Sequence, residues 1–292
     1  MSSSANNEEY YVPHGTHWPI IGSIGLATTV IGAANFLHGT WSATPIFVGL
    51  AILIFMMYGW FGQVIDESLT GFYNKQVDAT FRWSMSWFIF SEVMFFAAFF
   101  GALFYAREYS VPWLAGASNN DATAQYLWPD FEAAWPLLNL PLADKFEVSK
   151  QAMGAWGLPA LNTVILLTSG LTVTLAHWAL KRRDNDWLVY WLFATVALGF
   201  GFVFLQGYEY LHAYQDLNLR LDSGIYGSTF FMLTGFHGFH VTMGAVMLTI
   251  IMIRAAKGHF TPDHHFAFEG VAWYWHFVDV VWLGLFIFVY WL

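Results

Sequence analysis

Apolar residues in this chain come in blocks long enough to cross a bilayer, and short polar stretches separate them. As a helix, about 20 apolar residues traverse the hydrocarbon core. Seven blocks qualify, over 19–36, 43–64, 83–105, 158–180, 187–211, 225–253 and 266–292, which predicts seven transmembrane helices. The first block is short and glycine-rich. Gly22, Gly25 and Gly32, with Ala33 and Ala34, would let another helix approach closely. Trp and Tyr gather near block ends (Trp83, Trp87, Trp187, Trp191, Tyr290, Trp291), where amphipathic rings favour the membrane–water boundary.

Composition agrees with that pattern. Only 11% of the residues are charged, against about 25% in a soluble domain. With 57% hydrophobic residues, one compact core could not hide the apolar surface from water. The chain has no cysteine, which excludes disulfides, thiolate metal sites, iron–sulfur clusters and a cysteine-bridged dicopper centre. The net charge of −9 comes mostly from loop carboxylates. The 11 Lys and Arg residues form no stripe, so nothing points to nucleic acid. Met1 to Tyr11 is polar and acidic and reads as an exposed tail rather than a signal peptide.

Seven spans place the termini on opposite sides. With the N-terminus inside, the inner loops hold Lys75, Arg82, Lys181, Arg182, Arg183, Arg254 and Lys257. Outside lie Arg220 and, within the long 107–157 segment, Arg107, Lys145 and Lys150. The positive-inside rule therefore favours a cytoplasmic N-terminus and a C-terminus on the opposite side. The long segment is rich in Pro, Asn, Asp and Ala, and is either an ordered or a flexible outer loop.

Several polar residues fall inside the spans. Glu92 is nine residues past Trp83, roughly 13 Å into the membrane at about 1.5 Å per residue. It is either a proton-linked carboxylate or a protonated acid hydrogen-bonded to a neighbouring helix. His237 and His240 lie three apart on one helical face, as do His276 and Asp279, and His264 and His265 open the last span. Imidazole ligates haem and copper, so a metal site is one reading. Interhelical hydrogen bonding is the other, with His276 and Asp279 as a pair within one helix. Gly235 and Gly238 favour close helix packing over an open metal pocket. Arg254, Lys257 and His259 sit just beyond the sixth span and either bind a lipid phosphate or simply anchor the helix. No phosphate loop, nucleophile elbow or zinc-protease helix occurs.

Longer motifs carry a resemblance. GSTFFMLTGFHGFHVTMG at 227–244 and HFTPDHHFAFEGVAWYWHFVDVVW at 259–282 closely resemble signature stretches of cytochrome c oxidase subunit III. So do SEVMFFAAFF around Glu92, VIDES at 64–68, PALNTVILLTSG at 159–170 and LQGYEY at 205–210. YYVPHGTHWPI at the start is similar more loosely. The likeness runs through spans two to seven in order.

The resemblance implies an all-α integral membrane protein whose seven transmembrane helices form two bundles, helices 1–2 and 3–7, separated by a V-shaped, lipid-filled cleft. The corresponding layout is a tail over 1–18, a two-helix bundle over 19–64, a cytoplasmic loop over 65–82, and a five-helix bundle over 83–292 that includes the outer loop 107–157. The chain would bind no haem, copper or other metal and would have no catalytic residue of its own. Haems and copper would belong to partner subunits, and structural phospholipids to this one. It would pack beside subunit I, and would meet cytochrome c only through subunit II. Its role would be to sustain proton uptake and protect subunit I from turnover-linked inactivation, while the complex reduces oxygen to water and pumps protons. Glu92 would be the family's buried carboxylate, known for reacting with carbodiimide. Trp60, Glu67, Arg254, Lys257 and His259 match cleft or lipid head-group positions.

The match has departures. Asp66 stands where mitochondrial forms carry an arginine in V-I-R-E-S, and Tyr73 and Asn74 lie where histidines would follow. This weakens one lipid site or shifts it toward Arg254 and Lys75. The 107–157 loop is longer than in mitochondrial forms, which favours a bacterial inner membrane with a periplasmic C-terminus. Other readings fit less well. A redox-active oxidase subunit needs more spans and more ligating histidines. A transporter predicts an inverted repeat and broken midplane helices. Subunit III of a quinol oxidase is the nearest alternative, but that form usually lacks the first two spans.

Overall fold

The computed structural model describes residues 10–12, 15–141, 145 and 147–292, so most of the expected tail lies outside the described residues. Among the described residues all regular structure is helical, and seven helices are long and apolar enough to cross a membrane. They are α1 (Trp18–Leu37), α2 (Thr44–Leu69), α3 (Lys75–Tyr105), α4 (Leu158–Lys181), α5 (Asn185–Gln215), α6 (Ile225–Ala256) and α7 (Phe266–Leu285). The chain therefore spans a membrane seven times.

Most helices outrun their apolar blocks. α2 continues to Leu69 and α3 begins at Lys75, so only five residues remain of the loop expected over 65–82. Hydropathy marks the hydrocarbon, but the backbone stays helical beyond it because polar side chains there reach water. α3 runs on through a π-helical turn, Ala106–Ser110, and a further turn, Val111–Leu114. α7 ends in a π-helical turn, Phe286–Trp291. The helix starts are encoded locally. Proline occupies the first turn of α1, α2 and α4, where its missing N–H costs nothing. Asp184 caps α5, its side chain accepting from the Trp187 N–H at 3.2 Å.

The chain divides into two compact units, residues 1–83 and 84–292. In the first, α1 and α2 form a hairpin held by close backbone approach. A Cβ at Gly49 would lie 2.6 Å from the Thr29 backbone nitrogen, and one at Gly32 would lie 2.9 Å from Pro45 Cβ. The glycine pattern expected of the first span is thus used, with α2 as the helix that approaches.

The second unit packs around Trp275 of α7. A Cβ at Gly244 of α6 would lie 2.7 Å from its ring, and one at Gly199 of α5 2.8 Å. The Trp275 indole N–H donates to Ser169 Oγ of α4 at 2.9 Å, so one fully buried side chain joins four helices. Below it Trp282 donates to Thr163 Oγ1 at 2.9 Å and meets Phe202 edge-on, 4.8 Å between centroids. Lipid is as apolar as these cores, so burial from lipid contributes little. Interhelical hydrogen bonds average only about 0.6 kcal/mol, which leaves shape-matched packing as the main cohesion.

Two sequence expectations are corrected. A Cβ at Gly238 would meet nothing within 4 Å among the described residues, so the close approaches around the histidine pair involve other glycines, chiefly Gly244. Tyr290 is not at a lipid boundary: its ring is buried and its hydroxyl donates to Glu209 Oε1 at 2.7 Å. Residues 147–153, in the long segment between α3 and α4, are tied to the turn after α5 and to the start of α6. The Lys150 N–H donates to Leu217 O at 2.9 Å, Glu147 pairs with Arg220 at 3.0 Å, and Met153 N–H donates to Tyr226 Oη at 3.1 Å.

Candidate functional site

Glu92 has a partner that sequence reasoning could not supply. Its Oε2 lies 2.8 Å from His240 Nε2, joining α3 to α6. The other ring nitrogen, Nδ1, is 2.6 Å from the carbonyl of Phe236, which can only accept, so Nδ1 carries a proton. Nε2 and the carboxyl then hold one proton between them, as acid with neutral imidazole or as carboxylate with imidazolium. Either arrangement is neutral overall, which is how an ionisable pair persists inside a membrane. Phe96, Phe95 and Tyr274 surround the imidazole, the first at 5.0 Å between centroids.

His237 goes elsewhere. Its Nε2 donates to Val278 O of α7 at 3.2 Å, and its ring lies 5.1 Å from that of Trp282. The two histidines share a helix face but serve different neighbours. Asp279 is buried and faces Gly170 of α4, whose missing Cβ leaves room for the carboxylate. His276 Nδ1 lies 3.6 Å from Asp279 Oδ2, and its Nε2 lies 3.4 Å from Thr174 Oγ1. The pair expected within one helix therefore also engages α4.

A second buried carboxylate, Glu209 in LQGYEY, was missed as a site. It is fully buried, and Tyr290 is its hydrogen-bond donor. Its place within an apolar block was the available signal.

Arg254, Lys257 and His259 are brought together by the end of α6. Gly258 takes φ +71°, its N–H donates to Ala255 O at 2.9 Å, and the His259 N–H donates to Arg254 O at 3.1 Å. This pair of reversed bonds folds the chain back over the helix end, so the three basic side chains share one corner. The Arg254 guanidinium is buried, 4.7 Å from the Phe260 ring centroid. Among the described residues no carboxylate forms an ion pair with it. Desolvation, then the charges of Arg254 and Lys257, lowers the His259 pKa from its ordinary 6.5.

In the first unit, Glu67 sits in a chain of hydrogen bonds. Trp18 Nε1 donates to Gln63 Oε1 (2.9 Å), Gln63 Nε2 donates to Glu67 Oε1 (2.9 Å), and Tyr73 Oη donates to Glu67 Oε2 (2.8 Å). Burial, and then the Glu67 carboxylate, raises the Tyr73 pKa above its ordinary value. Trp60, two turns earlier on α2, is half exposed and stacks on Phe61.

The sequence profile of the family described as cytochrome c oxidase subunit III matches residues 8–117 and 127–292. Cytochrome c oxidase subunit 3 of Marchantia polymorpha is 40% identical over 293 residues, 99% of this chain and 98% of the relative. The protein of the same name from Gadus morhua is 38% identical over 283 residues, 97% of this chain and 96% of the relative. That from Drosophila melanogaster is 38% identical over 292 residues, covering 99% and 98%. The chain therefore belongs to the cytochrome c oxidase subunit III family.

Proposed function

We propose that this chain is a non-redox accessory subunit of a cytochrome c oxidase of the aa3-like type. It supports subunit I, sustains proton uptake, and protects the complex from inactivation during turnover. The observation that carries this reading is the engagement of His240 by neighbouring groups at both of its nitrogens. His240 is bonded at both nitrogens to Glu92 and Phe236, and His237 is bonded to Val278. Using the His240 imidazole as a haem or copper ligand would break the contact that joins α3 to α6 or the bond to Phe236 O. The proton-sharing Glu92–His240 pair fits a subunit that handles protons without handling electrons.

Phospholipid belongs to the same proposal. Arg254, Lys257 and His259 present positive and donor groups at one helix end, and among the described residues no carboxylate pairs with the buried guanidinium. That chemistry matches a lipid phosphate. Trp60 would contribute an amphipathic ring to the lipid around the first unit, while Glu67 is already occupied by two donors. Lys181, Arg182 and Arg183 at the end of α4, with Arg254 in the last turn of α6 and Lys257 just past it, support a cytoplasmic placement for those ends and for the N-terminus in a bacterial inner membrane. Electrons would enter from cytochrome c through subunit II, and the presence of α1 and α2 favours this over a quinol-oxidising complex.

The accessory role is tested by deleting the chain and following oxygen consumption by the remaining complex. The expected result is a near-normal initial rate with progressively faster loss of activity during turnover. Loss of haem and of the initial rate would overturn it.

A further inference from the structure

The end of α4 and the start of α7 bring together three side chains that the oxidase role does not use. His177 lies near the C-terminus of α4, His265 caps α7, and Glu269 lies one turn into α7. His177 Nε2 is 3.3 Å from His265 Nε2 and 3.5 Å from Glu269 Oε1, and His265 Nε2 is 3.1 Å from the same oxygen. Three donor atoms thus form a nearly equilateral triangle. Zinc binds imidazole nitrogen and carboxylate oxygen at about 2.0–2.1 Å, and the edge of such a tetrahedron is about 3.3 Å. The observed edges bracket that value.

The surroundings favour a ligand set over a chance meeting. His265 Nδ1 is 3.0 Å from the carbonyl of Thr261, which fixes the proton on Nδ1 and aims the Nε2 lone pair at the other two groups. His265 is buried, and the Phe268 ring packs 5.3 Å from that of His177, shielding one side. His177 and Glu269 are only partly buried, which leaves a path for an ion and a fourth coordination position. Two imidazoles and one carboxylate suit zinc and its transition-metal neighbours, and suit magnesium or calcium poorly.

We propose that His177, His265 and Glu269 form a binding site for a divalent transition-metal ion of the zinc type, which clamps the end of α4 to the start of α7. This departs from the sequence expectation, which assigned no metal ligand, noted His265 only as one of an adjacent pair, and passed over His177 and Glu269. Zinc is redox-inert, so the site leaves the non-redox role intact.

The test uses the tagged full chain, purified from native membranes in whatever complex it forms. After chelator treatment Zn²⁺ is titrated back, and tightly bound zinc per chain is counted for the wild type, His177→Ala, Glu269→Gln and the exposed neighbour His264→Ala. The wild type and His264→Ala should take up one more zinc than the other two variants. Losing a direct ligand should weaken binding at least about 100-fold, the upper range for losing merely a supporting group. Equal zinc uptake in all four proteins, or no tight zinc in the wild type, would overturn the proposal. If the variants fail to accumulate, zinc-edge absorption of the reloaded wild type decides. Two imidazoles and a carboxylate are expected, and any other ligand set contradicts the site. The readout is zinc per chain, so it stands apart from whether the chain serves an oxidase.

Discussion

His240 of α6 meets Glu92 of α3 at 2.8 Å across 148 residues of sequence, while its second nitrogen is held by Phe236 O. One proton is shared at this junction, and its removal has distinct consequences for chemistry and for packing. Glu92→Gln keeps a donor facing Nε2 and removes only the acidic proton. Carbodiimide labelling at this position should vanish, with haem content and initial oxygen reduction largely retained. Glu92→Ala instead strands a buried imidazole nitrogen and should cost about 1–3 kcal/mol. Mass spectrometry of the labelled protein and thermal unfolding in detergent separate the two effects.

Trp275 should be the most sensitive packing position. Trp275→Ala removes the ring that fills the space left by Gly199 and Gly244, at a cost of about 3–5 kcal/mol. Trp275→Phe keeps most of that volume and chiefly loses the bond to Ser169, worth about 0.6 kcal/mol in a membrane. The order of thermal midpoints, wild type above Phe above Ala with the larger step last, checks the primacy of packing.

The Tyr290–Glu209 pair tests the cost of an orphaned acid. Tyr290→Phe removes the donor to a fully buried carboxyl and should destabilise by about 1–3 kcal/mol. Tyr290→Phe combined with Glu209→Met removes both polar ends and should recover much of that loss. Unfolding midpoints of the four proteins form the cycle, and additive effects would argue against a direct coupling.

Phospholipid retention should depend on Arg254 and on pH. Arg254→Ala should lower the phospholipid that co-purifies, read by lipid mass spectrometry. His259 has a lowered pKa, so the folded protein binds fewer protons there than the unfolded chain. Its contribution to stability is therefore complete above pH 6.5 and falls as the solution is acidified below that value. An anionic phosphate bound beside it opposes that trend by favouring imidazolium, so lipid retention should rise on acidification. His259→Gln should flatten both responses.

The seven spans were legible because each is a nearly unbroken apolar block, and length against bilayer thickness needs no tertiary knowledge. The glycines of α1 were legible for the same local reason. Contacts between distant segments were not. Nothing near Glu92 announces His240, and nothing near His265 announces His177, 88 positions away. Tyr290 was misplaced because an aromatic at a block end usually marks the interface, and only the fold reveals the buried Glu209 opposite it. Helix ends beyond the hydrocarbon were also hidden, since hydropathy falls before the helix stops, as at Leu69.

Affinity purification of the tagged chain from native membranes, with partner identification and a haem spectrum, probes the accessory-subunit reading most directly. Co-purification with a haem–copper subunit I, followed by separation of this chain free of haem, is the expected outcome. A chain that emerges alone, or that keeps haem after separation, would contradict it.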